Sequence, residues 1–207
     1  IDSGGQYEYG TTDVTRTWHF GTASEEFRTF YTRVLQGHIG VDQMQFPADT
    51  PGFVLDVFAR KALWKIGKDY GHGTGHGVGA ALNVHEGPAS ISPRWANTEG
   101  LKAGMVMSNE PGFYKDGEFG IRIENLLEVQ PVPGTPVVEG DKAFLQFKPL
   151  TMIPIQQNLI QTELLSEDEL AWIDRYHAQV LDTIGPELPP DSPAKKWLEL
   201  SCAPIKR

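Results

Sequence analysis

The sequence predicts an α+β fold built on a curved, largely antiparallel sheet. Three observations carry this. Strand-like texture fills residues 1–20 and returns over 68–150, two amphipathic helices lie between, and a helical tail follows residue 155. Residues 1–20 read as two short strands around a Gly-rich turn at Ser3-Gly4-Gly5. In the second strand Asp13, Thr15 and Thr17 share one face, with Val14 and Trp18 on the other. The first helix opens at Thr22-x-x-Glu25, a capping box, with Phe27, Phe30, Tyr31, Val34 and Leu35 at helical spacing. The second starts at Thr50-Pro51, buries Val54, Val57, Phe58 and Trp64, and ends at Gly67. Strands are expected over 105–110, 120–129 and 143–150. Ser166-x-x-Glu169 caps a third helix carrying Leu170, Ile173, Val180, Leu181 and Ile184, closed by Gly185. A Pro-rich connector leads to a short last helix with Trp197. Two domains follow from this reading, 1–155 and a helical extension over 156–207 suited to structural or oligomer contacts.

Composition narrows the function. The 207 residues carry 18 Lys and Arg against 27 Asp and Glu, a net charge of −9, and show no basic face for nucleic acid. No apolar run approaches the roughly 20 residues needed to span a bilayer. The lone Cys202 favours a reducing compartment and lies far from any histidine cluster, which argues against thiol catalysis. No phosphate loop and no Gly-x-Ser-x-Gly elbow is present. Asp2, a candidate ligand, sits one residue from the start, and terminal residues fray unless tied down. The chain is therefore expected to be a piece of a longer polypeptide, so its lack of a leader carries no information.

Five side chains sit where strand or loop would let them converge: Asp2, Asp13, His76, Glu110 and Glu124. Four carboxylates facing one another repel unless cations intervene, and two divalent ions would balance them. Plainer readings exist for each. Asp2 could form an Asx-turn, Glu110 could punctuate the turn at Pro111-Gly112, and Glu124 could pair with Arg122 on the same strand face. His72, His76 and His85 cluster around a segment with five glycines in nine residues, Gly71 to Gly79, where backbone approaches something closely. They could ligate metal, donate to an oxyanion or carry protons. His19, His38 and His177 read as structural.

The stretches Ile1 to Tyr7, Gly10 to Thr17, His72 to Gly79, Asn109 to Tyr114 and Gly120 to Asn125 resemble, in order, the motifs of the pita-bread metallopeptidases. Among these the chain is most similar to the cytosolic Xaa-Pro aminopeptidase branch, a likeness that continues through Phe147 to Gln156 and Trp172 to His177. The resemblance implies a pita-bread fold, with residues 1–155 the catalytic domain lacking its front portion. It implies that Asp2 binds one metal, Asp13 and Glu124 bridge both, and His76 and Glu110 hold the other. His72 and His85 would contact substrate and shuttle protons, and Glu110 would hold the transferred proton. Thr15 and Arg122 would support the ligands from behind. The activity implied is release of an N-terminal residue when proline follows, by a hydroxide bridging two divalent ions, typically manganese, in a cytoplasmic homodimer. Oxygen-rich ligation with one imidazole suits manganese. A further upstream histidine and the front of the fold lie outside these residues, so the 207 residues alone are expected to be inactive. The rivals are a prolidase, a catalytically dead peptide-binding module and a metal-free creatinase-like hydrolase; five intact ligand positions disfavour the last two.

Overall fold

A computed structural model describes residues 1–134 and 142–206. It divides into two compact units, one formed by Ile1–Thr17 and Arg33–Thr151, the other by Trp18–Thr32 and Met152–Arg207. In chain order the elements are β1 (Asp2–Tyr7), β2 (Gly10–Thr15), α1 (Glu25–Asp42), β3 (Gln45–Pro47), α2 (Gly52–Trp64), β4 (Gly75–His76), β5 (Ser90–Ile91), β6 (Val106–Asn109), β7 (Gly112–Lys115), β8 (Phe119–Arg122), β9 (Asn125–Pro131), β10 (Phe144–Pro149), α3 (Glu167–Ile184) and α4 (Pro193–Ser201). This is the α+β composition expected. The antiparallel pairing is distributed over one four-stranded sheet, ordered β3-β10-β9-β6, and the two-stranded ladders β1-β2, β4-β5 and β7-β8. Among the described residues no helix is long and apolar enough to cross a membrane.

In the first unit the core forms where the four-stranded sheet meets α2. Phe46, Met107, Leu127, Val129, Leu145 and Phe147 from the sheet pack with Leu55 and Ala59 from the helix and with Ile91 and Leu101. Burying each large apolar side chain contributes about 1.5–3 kcal/mol. Gly37 of α1 allows the two helices to touch through backbone, since a Cβ there would lie 2.1 Å from the Ala59 carbonyl oxygen.

Several local expectations change. Ser3-Gly4-Gly5 is strand, with Gly4 opposite Asp13, and the hairpin turns at Glu8-Tyr9 instead. On α2, Val54, Val57, Phe58 and Trp64 are exposed, while Leu55, Asp56, Ala59, Arg60, Ala62 and Leu63 are buried. The helix is apolar on most sides, so hydrophobic spacing does not single out its inner face. A buried Asp56–Arg60 ion pair at 2.7 Å disguises it further. Pro51 rather than Thr50 precedes the first helical turn, and the Thr50 hydroxyl donates back to the Pro47 carbonyl at 2.6 Å. At the far end Gly67 does close the helix, with φ +68°; its N–H reaches the Trp64 carbonyl and that of Lys68 the Leu63 carbonyl.

In the second unit α1 is capped by Ser24, whose hydroxyl accepts from Phe27 N at 3.1 Å; Thr22 and Glu25 form no box there. The α3 box is present: Glu169 N donates to Ser166 Oγ and Ser166 N to Glu169 Oε2, at 3.2 and 2.7 Å. Leu170, Trp172, Ile173, Tyr176, His177 and Val180 are the buried residues of α3, with Leu181 and Ile184 half-buried. Gly185 keeps right-handed dihedrals, φ −54°, and runs on into a short 3-10 turn instead of terminating the helix. His177 is structural, its Nε2 accepting from Ile155 N at 3.0 Å.

Candidate metal centre

The hairpin supplies the first two carboxylates. Asp2 begins β1 opposite Thr15, and Asp13 lies buried on β2, on the face it shares with Thr15. The expected strand over 120–129 breaks at Ile123-Glu124, and the break delivers Glu124 to this hairpin. Glu124 leaves the β7–β8 ladder, donates its N–H to the Thr15 carbonyl at 3.1 Å, and only afterwards does β9 join β6 and β10. Its carboxylate accepts the Thr15 hydroxyl at 2.6 Å.

The Gly-rich segment brings the imidazole. A Cβ on Gly75 would lie 1.9 Å from the Ser108 carbonyl oxygen, so β4 rests on β6 as only glycine allows. That contact lets His76 N donate to Ser108 Oγ at 2.9 Å, and the same hydroxyl donates to Glu110 Oε1 at 3.1 Å. Glu110 itself is placed at the end of β6 by its N–H to the Thr74 carbonyl, 2.7 Å.

All five residues singled out in the sequence meet. Side-chain ligand atoms lie within 4.8 Å of one another in three overlapping groups: Asp2, Asp13 and Glu124; His76, Glu110 and Glu124; Asp13, His76 and His85. Asp13, Glu124 and His76 each belong to two groups. The His85 ring lies 4.0 Å from that of His76, centroid to centroid, so it stands at the edge of the cluster.

The chemistry of this arrangement calls for cations. The carbonyl of Gly77 accepts from His76 Nδ1 at 3.0 Å, which places the imidazole proton there and a lone pair on Nε2. Nε2 is buried and makes no hydrogen bond, facing Asp13 Oδ2 at 3.3 Å and Glu110 Oε1 at 3.4 Å. Three candidate ligand atoms thus converge. The donor set, oxygen-rich with one or two imidazoles and no sulfur, matches hard or borderline divalent ions.

The electrostatics agree. Burial pushes the Glu124 carboxyl up to about 7, with the charges of Glu110, Asp13 and Asp2 adding and the Thr15 hydrogen bond opposing. Burial also raises Glu110. For His76 burial alone would lower the imidazole, but Asp13, the Gly77 carbonyl and the Glu110 charge outweigh it and raise it.

Arg122 does not pair with Glu124. Its Nη2 binds Asp2 Oδ2, its Nε donates to Thr15 Oγ1 at 3.1 Å and its Nη1 to the Tyr114 hydroxyl at 3.1 Å. Tyr114 in turn meets His72 Nε2 at 2.8 Å, while His72 Nδ1 donates to the Gly73 carbonyl at 2.8 Å. His72 is held below the ordinary histidine range by burial and then by repulsion from Arg122 and Arg60. Two features here have no local sequence signal strong enough to find them. Tyr114 enters only through the β7–β8 ladder. The buried Arg60 clamps the loop by donating to the Tyr70 and His72 carbonyls at 2.8 and 2.7 Å, while Asp56 accepts the Thr74 hydroxyl at 2.7 Å. The i, i+4 spacing of Asp56 and Arg60 is its one visible trace.

The chain belongs to metallopeptidase family M24: the family model matches residues 1–131, and that for the C-terminal region of the family matches 143–205. Over 205 residues it is 56% identical to a Laccaria bicolor protein named Probable Xaa-Pro aminopeptidase P, covering 99% of this chain and 32% of that one. It is 54% identical to Aminopeptidase P2 of Arabidopsis thaliana, covering 100% and 29%. The crystal structure of the X-prolyl aminopeptidase of Caenorhabditis elegans, a cytosolic enzyme with a di-nuclear active site, superposes with a TM-score of 0.90 at 44% identity, covering 99% and 33%. The pita-bread fold is thereby assigned. Prolidase from Pyrococcus furiosus matches less well, at TM-score 0.60 and 30% identity over 74% and 40%. The chain spans about a third of the length of the curated relatives it matches.

Proposed function

We propose that this protein is a dinuclear aminopeptidase that releases the N-terminal residue of peptides with proline in second position. The observation that carries the reading is the convergence of the Asp13 and Glu110 carboxylates on His76 Nε2, flanked by Asp2 and Glu124. Asp2, Asp13 and Glu124 would hold one divalent ion and His76 and Glu110 the other, with Asp13 and Glu124 shared. Residues 1–155 carry this centre and 156–207 form the helical extension. Manganese as the ion, a homodimer as the assembly and the cytoplasm as the location belong to the same reading; hard oxygen ligation supports the first. Bound ions supply Lewis acidity, polarising the scissile carbonyl and making water a nucleophile at neutral pH.

The remaining work falls to the protein's own side chains. Glu110, its carboxyl raised by burial, can take a proton at Oε2, the oxygen outside the Ser108 contact, and deliver it to the leaving nitrogen. A proline nitrogen has no N–H of its own, so this delivery completes bond cleavage. His72 stays neutral beside Tyr114, with Nδ1–H committed to Gly73, and offers a contact for substrate; His85, exposed beside His76, is placed to relay protons to solvent. Greater likeness to the aminopeptidase structure than to prolidase favours aminopeptidase over dipeptidase. The test offers the full-length enzyme a tripeptide with proline second and a Xaa-Pro dipeptide. Cleavage of the tripeptide supports the reading; cleavage of the dipeptide alone overturns it.

A further inference from the structure

Three residues of the centre have a buried polar neighbour in the chain. Arg16 follows Thr15, Asn109 precedes Glu110 and Asn125 follows Glu124, and these neighbours are 3, 0 and 0% exposed. The neighbours form a layer of their own, with Asn109 and Asn125 directly opposite each other between β6 and β9. His38 of α1 joins it, its Nδ1 donating to the Asn109 carbonyl at 3.1 Å and its own carbonyl accepting from Asn109 Nδ2 at 2.9 Å. Arg16 completes it. Its Nη1 donates to the Glu124 carbonyl at 2.6 Å and to the Thr15 carbonyl at 2.9 Å, and its Nη2 donates to Asn125 Oδ1 at 2.6 Å.

A guanidinium is expensive to bury, so three contacts at this one place need a reason. The strand break supplies it. Glu124, in the break between β8 and β9, belongs to no ladder; its N–H bond to Thr15 is an isolated bridge to the end of β2. The planar fork of Arg16 spans that gap and grips both sides of the bridge together with the following residue. Nη1 takes both carbonyls and Nη2 takes Asn125 Oδ1, so a lysine, with one nitrogen on a flexible stem, has no second nitrogen for Asn125 and no plane to fix the angle between the contacts.

We propose that Arg16 is a positioning residue for the metal centre: its fork fixes the backbone of Glu124 so that the carboxylate can be shared by two ions. The inference rests on the reading of Glu124 as a shared ligand. Partners behind metal ligands are worth about 10- to 100-fold in metal affinity, which sets the size of the effect.

The test uses full-length enzyme stripped with chelator, titrated calorimetrically with Mn2+ alone, and compares parent, Arg16→Lys and Arg16→Met. Urea unfolding of each metal-free protein is recorded in parallel. We expect both folded variants to bind at least one ion tenfold or more weakly, lysine failing to rescue. A residue that merely supports the fold would lower the urea midpoint and leave Mn2+ affinity within threefold of the parent, and that result overturns the proposal. If neither variant folds, Asn125→Ala removes one arm of the clamp and is judged by the same threefold limit. Glu124→Gln separates the two ideas. If it binds both ions as the parent does, the ligand assignment itself falls. If it loses an ion while Arg16→Lys keeps both, only the role of Arg16 falls.

Discussion

Glu124→Gln in chelator-stripped protein measures how heavily the site is charged before any ion arrives. Burial, with the charges of Glu110, Asp13 and Asp2, lifts this carboxyl from 4.5 to about 7. A carboxyl raised in the folded state binds its proton more tightly there than in the unfolded chain. Its contribution to stability is full below about pH 4.5 and is lost as pH rises through 7. At 1.36 kcal/mol per unit of pKa, the loss between pH 5 and pH 8 comes to about 2.5 kcal/mol. Glutamine has nearly the same shape, can still accept the Thr15 hydroxyl at Oε1, and does not titrate. Urea denaturation of parent and variant at pH 5, 6, 7 and 8 in chelator should therefore diverge, the parent losing about 2.5 kcal/mol relative to the variant across the range. Mn2+ should stabilise the parent most at the alkaline end, where no proton competes with it. Parallel pH profiles would mean that Glu124 titrates alike folded and unfolded, contrary to this expectation.

The other expectations concern the supports of the site and the tail. Gly75→Ala places a methyl 1.9 Å from the Ser108 carbonyl oxygen, so β4 must leave β6; a loss of about 3 kcal/mol is expected, read as a lower thermal midpoint. Ser166→Ala removes the hydroxyl that caps α3 and should cost about 1 kcal/mol in chemical denaturation, with Mn2+ binding unaffected.

Much of the site was legible because charge is hard to hide. Four carboxylates in strand or loop texture, with glycines around a histidine, imply repulsion that something must relieve, and the structure brings all of them together. Caps set by a single local hydrogen bond, as at Ser166, and a left-handed glycine, as at Gly67, were equally legible. What failed to show depends on tertiary pairing. The segment through Ile121, Ile123, Leu126 and Leu127 looks like one strand by composition, yet the hairpin competes for Glu124 and breaks it. Arg122 stands two residues from Glu124 and still finds Asp2, Thr15 and Tyr114 instead. Apolar spacing alone misplaces the inner face of α2, because Asp56 and Arg60 are buried there as a compensated pair.

If two ions share Asp13 and Glu124, as proposed, elemental analysis of the purified full-length protein and of its Asp13→Asn variant must reveal it. The parent should carry two divalent ions per chain, and the variant one or none, with turnover lost. An Asp13→Asn enzyme that retains both ions and full turnover would contradict this sharing.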